Sequence, residues 1–232
     1  MTNQSQELIS EHDLRDFFSA LDFRLDLLDQ GRRSLNVYLS LEFNVFDYID
    51  PNENRISQVI ADMLNPRGRH GQGKIFLDRF LTVIGQEEQV FRSAQARVHY
   101  QTPTTASTAG LIDITIDLAD FGVGIENKPW AIEQNSQLER YRRHLADRYG
   151  GRFCLVFLEG RGSGPTSISE QTRRELESVG KFRTLHYQPD LRNWIEWCAK
   201  ESQSDKLRWF LRDFIGYIDR EFHHREGARG YD

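Results

Sequence analysis

Over the first thirty residues, apolar side chains recur every three or four positions. Leu14, Phe17, Phe18, Leu21, Leu25 and Leu28 fall on one helical face, and Gly31-Arg32-Arg33 is expected to end that helix. The apolar run 34–49 reads as partly helical and stops at Asp50-Pro51. Asn52 is placed to cap a helix that reaches Leu64 and is stopped by Asn65-Pro66. After a glycine-rich turn, Phe76, Leu77, Phe80, Leu81 and Ile84 mark the buried face of another helix. The period then changes. Residues 90–102 read as extended and 102–110 as a turn. In the next stretch Ile112, Ile114, Ile116 and Leu118 face one way, Asp113, Thr115 and Asp117 the other. Ala119-Asp120 turns the chain into a second strand, Phe121 to Lys128, so the two form a hairpin. A helix is expected from Glu133 to about Arg148, and the unbroken apolar run Phe153–Leu158 has the character of a strand buried on both faces. A loop at Gly160–Ser167, a polar helix from Ser169 to Val179, a short strand at Phe182–Tyr187 and two aromatic-rich helices complete the chain. No repeat or linker divides it, so one domain is expected over 1–232, with its core at about 43–158 and helical extensions at 1–42 and 165–225.

At 232 residues, 38% hydrophobic and 28% charged, the chain has the composition of an ordinary soluble globule. It contains no apolar run of the ~20 residues that cross a bilayer. The first residues are acidic and lack the positive end and apolar stretch of a secretory signal. Cys154 and Cys198 are expected as buried thiols, neither a disulfide framework nor a zinc set. A cytoplasmic location follows as the expectation, with no membrane partner. The net charge of −5 disfavours a protein that coats nucleic acid, but not an enzyme that grips a phosphate backbone locally. Two basic stretches, Arg67 to Lys74 and Arg140 to His144, would suit such a grip, or are solvated faces.

The chemistry concentrates around the hairpin. Glu126 and Lys128 share a face because strand residues alternate, and a carboxylate and an ammonium side by side on a half-buried strand are costly unless something uses them. A structural ion pair is the plain alternative. Asp113 on the partner strand and Glu53 at the start of an upstream helix are placed to converge on them. Metal-assisted phosphodiester hydrolysis suits this set. A hard ion such as Mg²⁺ needs only one or two protein carboxylates, here Asp113 and Glu126, with the backbone carbonyl of Asn127 as a third ligand and Glu53 reaching a second ion. Lys128 would orient the water or neutralise charge developing on the phosphate.

These residues carry a resemblance. Asp113 followed on the next strand by Glu126-Asn127-Lys128 is similar to the signature of the PD-(D/E)XK nuclease superfamily. Gln137 and Tyr141 on the following helix match the Q-x-x-x-Y element of its RecB-like branch. The segment 43–81 resembles a bacterial family of that superfamily with a glutamate on a helix before the core, and Glu53 takes that position. The likeness spans roughly Phe43 to Leu158 and weakens toward 186–198. Two departures stand out: Pro129 follows the lysine at once, and no proline precedes Asp113.

The resemblance implies an α/β restriction-endonuclease-like core, a mixed central sheet flanked by helices, with N- and C-terminal helical extensions. It implies a Mg²⁺-dependent nuclease, Mn²⁺ substituting, that hydrolyses nucleic acid, DNA ahead of RNA. The catalytic set would be Glu53, Asp113, Glu126, Lys128, Gln137 and Tyr141, with Gln137 and Tyr141 facing the metal and the substrate phosphate. Defence, restriction and repair all suit such a core, and a homodimer or a targeting protein would extend its reach over the substrate. The rival readings are an inactive nucleic-acid-binding module of the same fold and an interaction protein whose acidic face mimics phosphate. Among single residues, Glu53 is also a helix N-terminus complement, and Tyr141 also a core residue beside Leu138 and Leu145. Asp117 is expected in solvent, Glu133 and Gln134 as caps, and His70 at the surface. The Gly160–Gly164 stretch is expected as an ordinary loop, and Trp194, Trp197 and Trp209 in a core or an interface.

Overall fold

The structure, a computed structural model, describes residues 10–40, 43–104, 110–130 and 136–222. The chain divides into two compact units, Met1–Phe43 and Asn44–Asp232. Among its described residues the first contains one helix, α1 (Glu11–Leu39). It begins in a reciprocal cap, with Asp13 N–H donating to Ser10 Oγ (3.1 Å) and Ser10 N–H to Asp13 Oδ2 (3.1 Å). The expected break at Gly31 does not occur. A helix-interior glycine costs only about 1 kcal/mol against alanine, too little to interrupt a helix capped and favoured on both sides.

In the second unit, α2 (Phe46–Ile49), α3 (Glu53–Leu64) and α4 (Ile75–Val83) precede the sheet. Asn52 caps α3 as expected, its Oδ1 accepting from Arg55 N–H at 3.0 Å. Residues Glu87–Gln95 are a 3-10 segment, where part of an extended run was expected. The Ser93 hydroxyl there sits between the Val90 carbonyl (2.7 Å) and the Asp78 carboxylate of α4, and these local bonds hold the turns closed. The sheet then follows: β1 (Arg97–Pro103), β2 (Leu111–Leu118), β3 (Phe121–Lys128), β4 (Phe153–Glu159) and β5 (Phe182–His186). Its order is β1-β2-β3-β4-β5; the first two pairings are antiparallel and the last two parallel. The parallel pairs require crossovers, and α5 (Gln137–Tyr149) and α6 (Glu170–Ser178) supply them. After β5 come α7 (Arg192–Glu201) and α8 (Asp205–Glu221).

The mixed sheet is apolar on both faces. One cluster joins Ile114, Ile116, Val123, Ile125 and Val156 to α3, α4, α7 and α8; the other joins Leu155, Phe157 and Phe182 to α5. This is the α/β, helix-flanked mixed sheet that the resemblance implied. Strict alternation along β2 fails at one point. Ile112 packs in the second cluster although Ile114 packs in the first, so the strand changes face across Asp113. Asp117 is not in free solvent: it is half-buried, pairs with Arg148 at 2.8 Å and accepts from the Tyr149 hydroxyl. His70 is also half-buried. Its Nε2 lies 2.9 Å from the Asn65 carbonyl and its Nδ1 accepts from Gln72 N–H at 3.1 Å, so the ring fastens the glycine-rich turn. Trp194 lies in the core and donates to the Phe76 carbonyl (3.1 Å), whereas Trp209 is exposed under the Arg212 guanidinium. Cys154 and Cys198 are buried free thiols. No helix among the described residues is long and apolar enough to cross a membrane. The expected caps Glu133 and Gln134 and the centre of the 102–110 turn lie outside the described residues.

Two glycines set how closely α5 sits on β3. A Cβ on Gly122 would lie 2.0 Å from the Tyr149 ring, and one on Gly124 would lie 2.8 Å from Leu145. Residues 122, 124 and 126 alternate onto one face of the strand, so the bare backbone that admits α5 leads directly to Glu126. Overpacking such a contact costs about 1–3 kcal/mol. Gly124→Ala is therefore expected to lower the unfolding free energy by about that much in urea denaturation. A midpoint equal to wild type would show that α5 has room to retreat.

Candidate active site

β3 carries three consecutive residues with separate tasks. Glu126 points toward α5, Asn127 toward α3 and the segment after β5, and Lys128 ends the strand. Glu126 and Asn127 are fully buried, and Asp113 is 8% exposed. The β2–β3 ladder runs from Leu118↔Phe121 to Ile114↔Ile125 and stops there. One step beyond, the Asp113 side chain takes over: its Oδ2 accepts the Asn127 N–H at 2.8 Å. A carboxylate thus replaces a backbone carbonyl at the mouth of the hairpin, which places Asp113 beside Glu126.

The six expected residues come together through a chain of contacts. Lys128 Nζ lies 2.7 Å from Glu53 Oε1 and 2.7 Å from Glu126 Oε1. Gln137 Nε2 donates to Glu126 Oε1 (2.6 Å) and to the Tyr141 hydroxyl (2.9 Å). That hydroxyl donates in turn to the Leu111 carbonyl at 2.6 Å, two residues before Asp113. The i, i+4 spacing of Gln137 and Tyr141 stacks them on one side of α5. The Tyr141 ring takes the core reading, buried in one cluster with Leu138 and Leu145, while its oxygen reaches the polar network through Gln137 and the Leu111 carbonyl.

Two residues essential to this arrangement were not singled out from the sequence. Asn127 Nδ2 donates to Ser57 Oγ (2.9 Å), and its Oδ1 accepts from the Tyr187 hydroxyl (2.7 Å). Ser57 is one helical turn past Glu53, a spacing that would have signalled it. Tyr187 follows β5 and carries no comparable mark. Of the two basic stretches, Arg67 donates to the Ala96 carbonyl (2.8 Å), and Arg142 and Arg143 both pair with Glu139. These arginines support local structure.

Burial dominates the electrostatics. It pushes the Asp113 carboxyl up to about 6, against the Asn127 N–H and the Lys128 charge. It pushes Glu126 up to about 8, aided by the Asp113 charge and opposed by Lys128. Burial alone would lower Lys128, but Glu126 and Glu53 reverse this and hold the ammonium protonated well above its ordinary value. The Tyr141 hydroxyl is raised to about 12, first by burial and then by Glu126.

Glu126 Oε2 is buried without a hydrogen-bond partner. An unpartnered carboxyl oxygen in the interior, beside a second buried carboxyl, has the chemistry to serve a cation once both are ionised. Among the described residues no three His, Cys, Asp or Glu side chains cluster as metal ligands, and Glu53 is engaged by Lys128. Two carboxylates nonetheless suffice for a hard divalent ion that keeps most of its waters. The residues present fit such an ion.

A family model of the PD-(D/E)XK nuclease superfamily matches residues 43–216, and the chain belongs to that superfamily. Its members are in general nucleases that use divalent metal ions. Comparison with curated proteins returns no match.

The raised carboxyls fix the sign of a pH dependence. In metal-free protein, both hold protons in the folded chain that the unfolded chain has already released. Their favourable contribution is complete below about pH 4 and is lost as pH rises through about 6 for Asp113 and about 8 for Glu126. In EDTA, the Tm of wild type should fall between pH 6.5 and 8.5 by more than that of Glu126→Gln, whose amide does not titrate. Equal falls in thermal melts of the two proteins would refute a neutral Glu126 at the lower pH.

Proposed function

We propose that this member of the PD-(D/E)XK nuclease superfamily is a metal-dependent nuclease that hydrolyses phosphodiester bonds of DNA, with Mg²⁺ as its ion and Mn²⁺ able to replace it. The observation that carries this reading is the unpartnered Glu126 Oε2, buried next to Asp113 and a protonated Lys128. Asp113, Glu126 and the backbone carbonyl of Asn127 would hold the ion, with Glu53 nearest to a second. When bound, the ion polarises the phosphate and makes its coordinated water more acidic.

The remaining work belongs to the side chains. Lys128 presents a fixed positive charge at the end of β3, where it neutralises charge accumulating on the phosphate oxygens as water adds and the bond to the leaving sugar oxygen breaks. Gln137 holds Glu126 Oε1 so that Oε2 stays aimed into the site. Tyr141 anchors Gln137 to the β2 backbone, and Ser57 and Tyr187 keep the Asn127 side chain from rotating. Glu53 shares Lys128 with Glu126 and so fixes the position of the ammonium. Positioning of this kind matters because an ångström of misplacement costs on the order of 100-fold in rate.

The test compares wild type with Glu126→Ala and Lys128→Ala on supercoiled plasmid, linear duplex, single-stranded DNA and RNA, each with Mg²⁺, Mn²⁺ or EDTA. Wild type is expected to cut DNA only with metal, and each variant to lose on the order of 100-fold or more in rate. Mg²⁺ should also raise the Tm of wild type, since a ligand that binds only the folded state stabilises it. Metal stabilisation without cleavage of any substrate would sink the enzyme reading and leave a binding module. RNA cut in preference to DNA would correct the substrate.

A further inference from the structure

The continuity of α1 through Gly31 reveals a longer pattern than its first half suggests. Leu14, Leu21, Leu28 and Leu35 recur at intervals of seven. Phe18, Leu25, Arg32 and Leu39 follow each of them by four residues. Together they form a complete seam of alternating three- and four-residue steps, with leucine at every d position and a single arginine among these a positions. None of the 29 residues of α1 is buried, and the seam leucines are 39–64% exposed. A helix in water draws most of its stability from an apolar face packed against something. α1 is about 44 Å long at 1.5 Å per residue, enough for four heptads.

We infer that α1 is a two-stranded parallel coiled coil in which a second copy of the chain covers the leucine seam. The charges flanking the seam select both the occupant and its direction. In a parallel pair, each g position faces the e position five residues on in the other helix. Arg24 occupies g and Asp29 occupies e, so each helix offers the other an opposite charge, twice by symmetry. An antiparallel pair would set Asp22 against the partner's Asp29, a like-charge contact. The helix is therefore complementary to its own parallel copy. Arg32 at an a position fixes the register, because a shift of one heptad would bury it against leucine without its counterpart. This inference concerns assembly alone and stands or falls independently of the nuclease chemistry.

Light scattering on the full chain across a concentration series is expected to report twice the 27.2 kDa chain mass. Leu21→Asp/Leu28→Asp should give the single-chain mass while the main melting transition persists. Arg24→Glu alone should weaken association at least tenfold, and Arg24→Glu/Asp29→Arg should restore it. A wild type of single-chain mass overturns the inference, as does an assembly larger than two. So does a dimer indifferent to the leucine pair, and one in which the charge reversal is not rescued is not parallel.

Discussion

A lysine ammonium 2.7 Å from two glutamates, one at the start of α3 and one on β3, is the contact on which the arrangement of the site depends. It joins a helix on one side of the sheet to a strand whose neighbouring carboxylate is held from the other side by α5. Remove the ammonium and three carboxylates face one another across a buried space. With it in place, acid groups still outnumber the ammonium three to one, and the charge left over once Asp113 and Glu126 give up their protons is not balanced. That residual negative charge is a structural cost with a direction: it favours whatever positive species enters.

The fold absorbs the cost by making the surroundings rigid. Gly122 and Gly124 let α5 approach until Gln137 touches Glu126, and the buried rings of Tyr141 and Tyr149 keep the helix there. On the other side Ser57 and Tyr187 hold the two ends of the Asn127 amide. Glu126 therefore cannot relieve its desolvation by turning toward water, as a surface carboxylate would. It responds by holding its proton until the pH is raised, and the same confinement keeps its second oxygen available to a cation.

Much of this was legible in the sequence because it rests on local periodicity. The period-two run from Ile114 and the tight turn at Ala119-Asp120 fixed the hairpin, the hairpin put Glu126 and Lys128 on one face, and the Asn52 cap placed Glu53 at a helix start. What escaped depended on long-range packing. The switch of face at Asp113 follows from the end of the β2–β3 ladder, which no residue-by-residue pattern encodes. The 3-10 segment before β1 is held by a contact to α4. Gly31, read as a breaker, is tolerated because the residues on either side of it favour helix, and that misreading hid the end of the leucine repeat, Leu35 and Leu39. Tyr187 reaches the site only because β5 ends beside β4, two strands away from Asn127 in the sheet order.

The substitution of a side chain for a backbone acceptor at Asp113 limits what can stand at that position. The Asn127 N–H is an interior donor, and its acceptor is an oxygen two bonds beyond the Asp113 Cβ. Alanine would orphan the amide, and glutamate would overshoot it by a methylene. Asparagine alone keeps the reach while discarding the charge. The residue is thus both mortar and tool, and only the asparagine exchange separates its hold on the hairpin from its electrostatic effect.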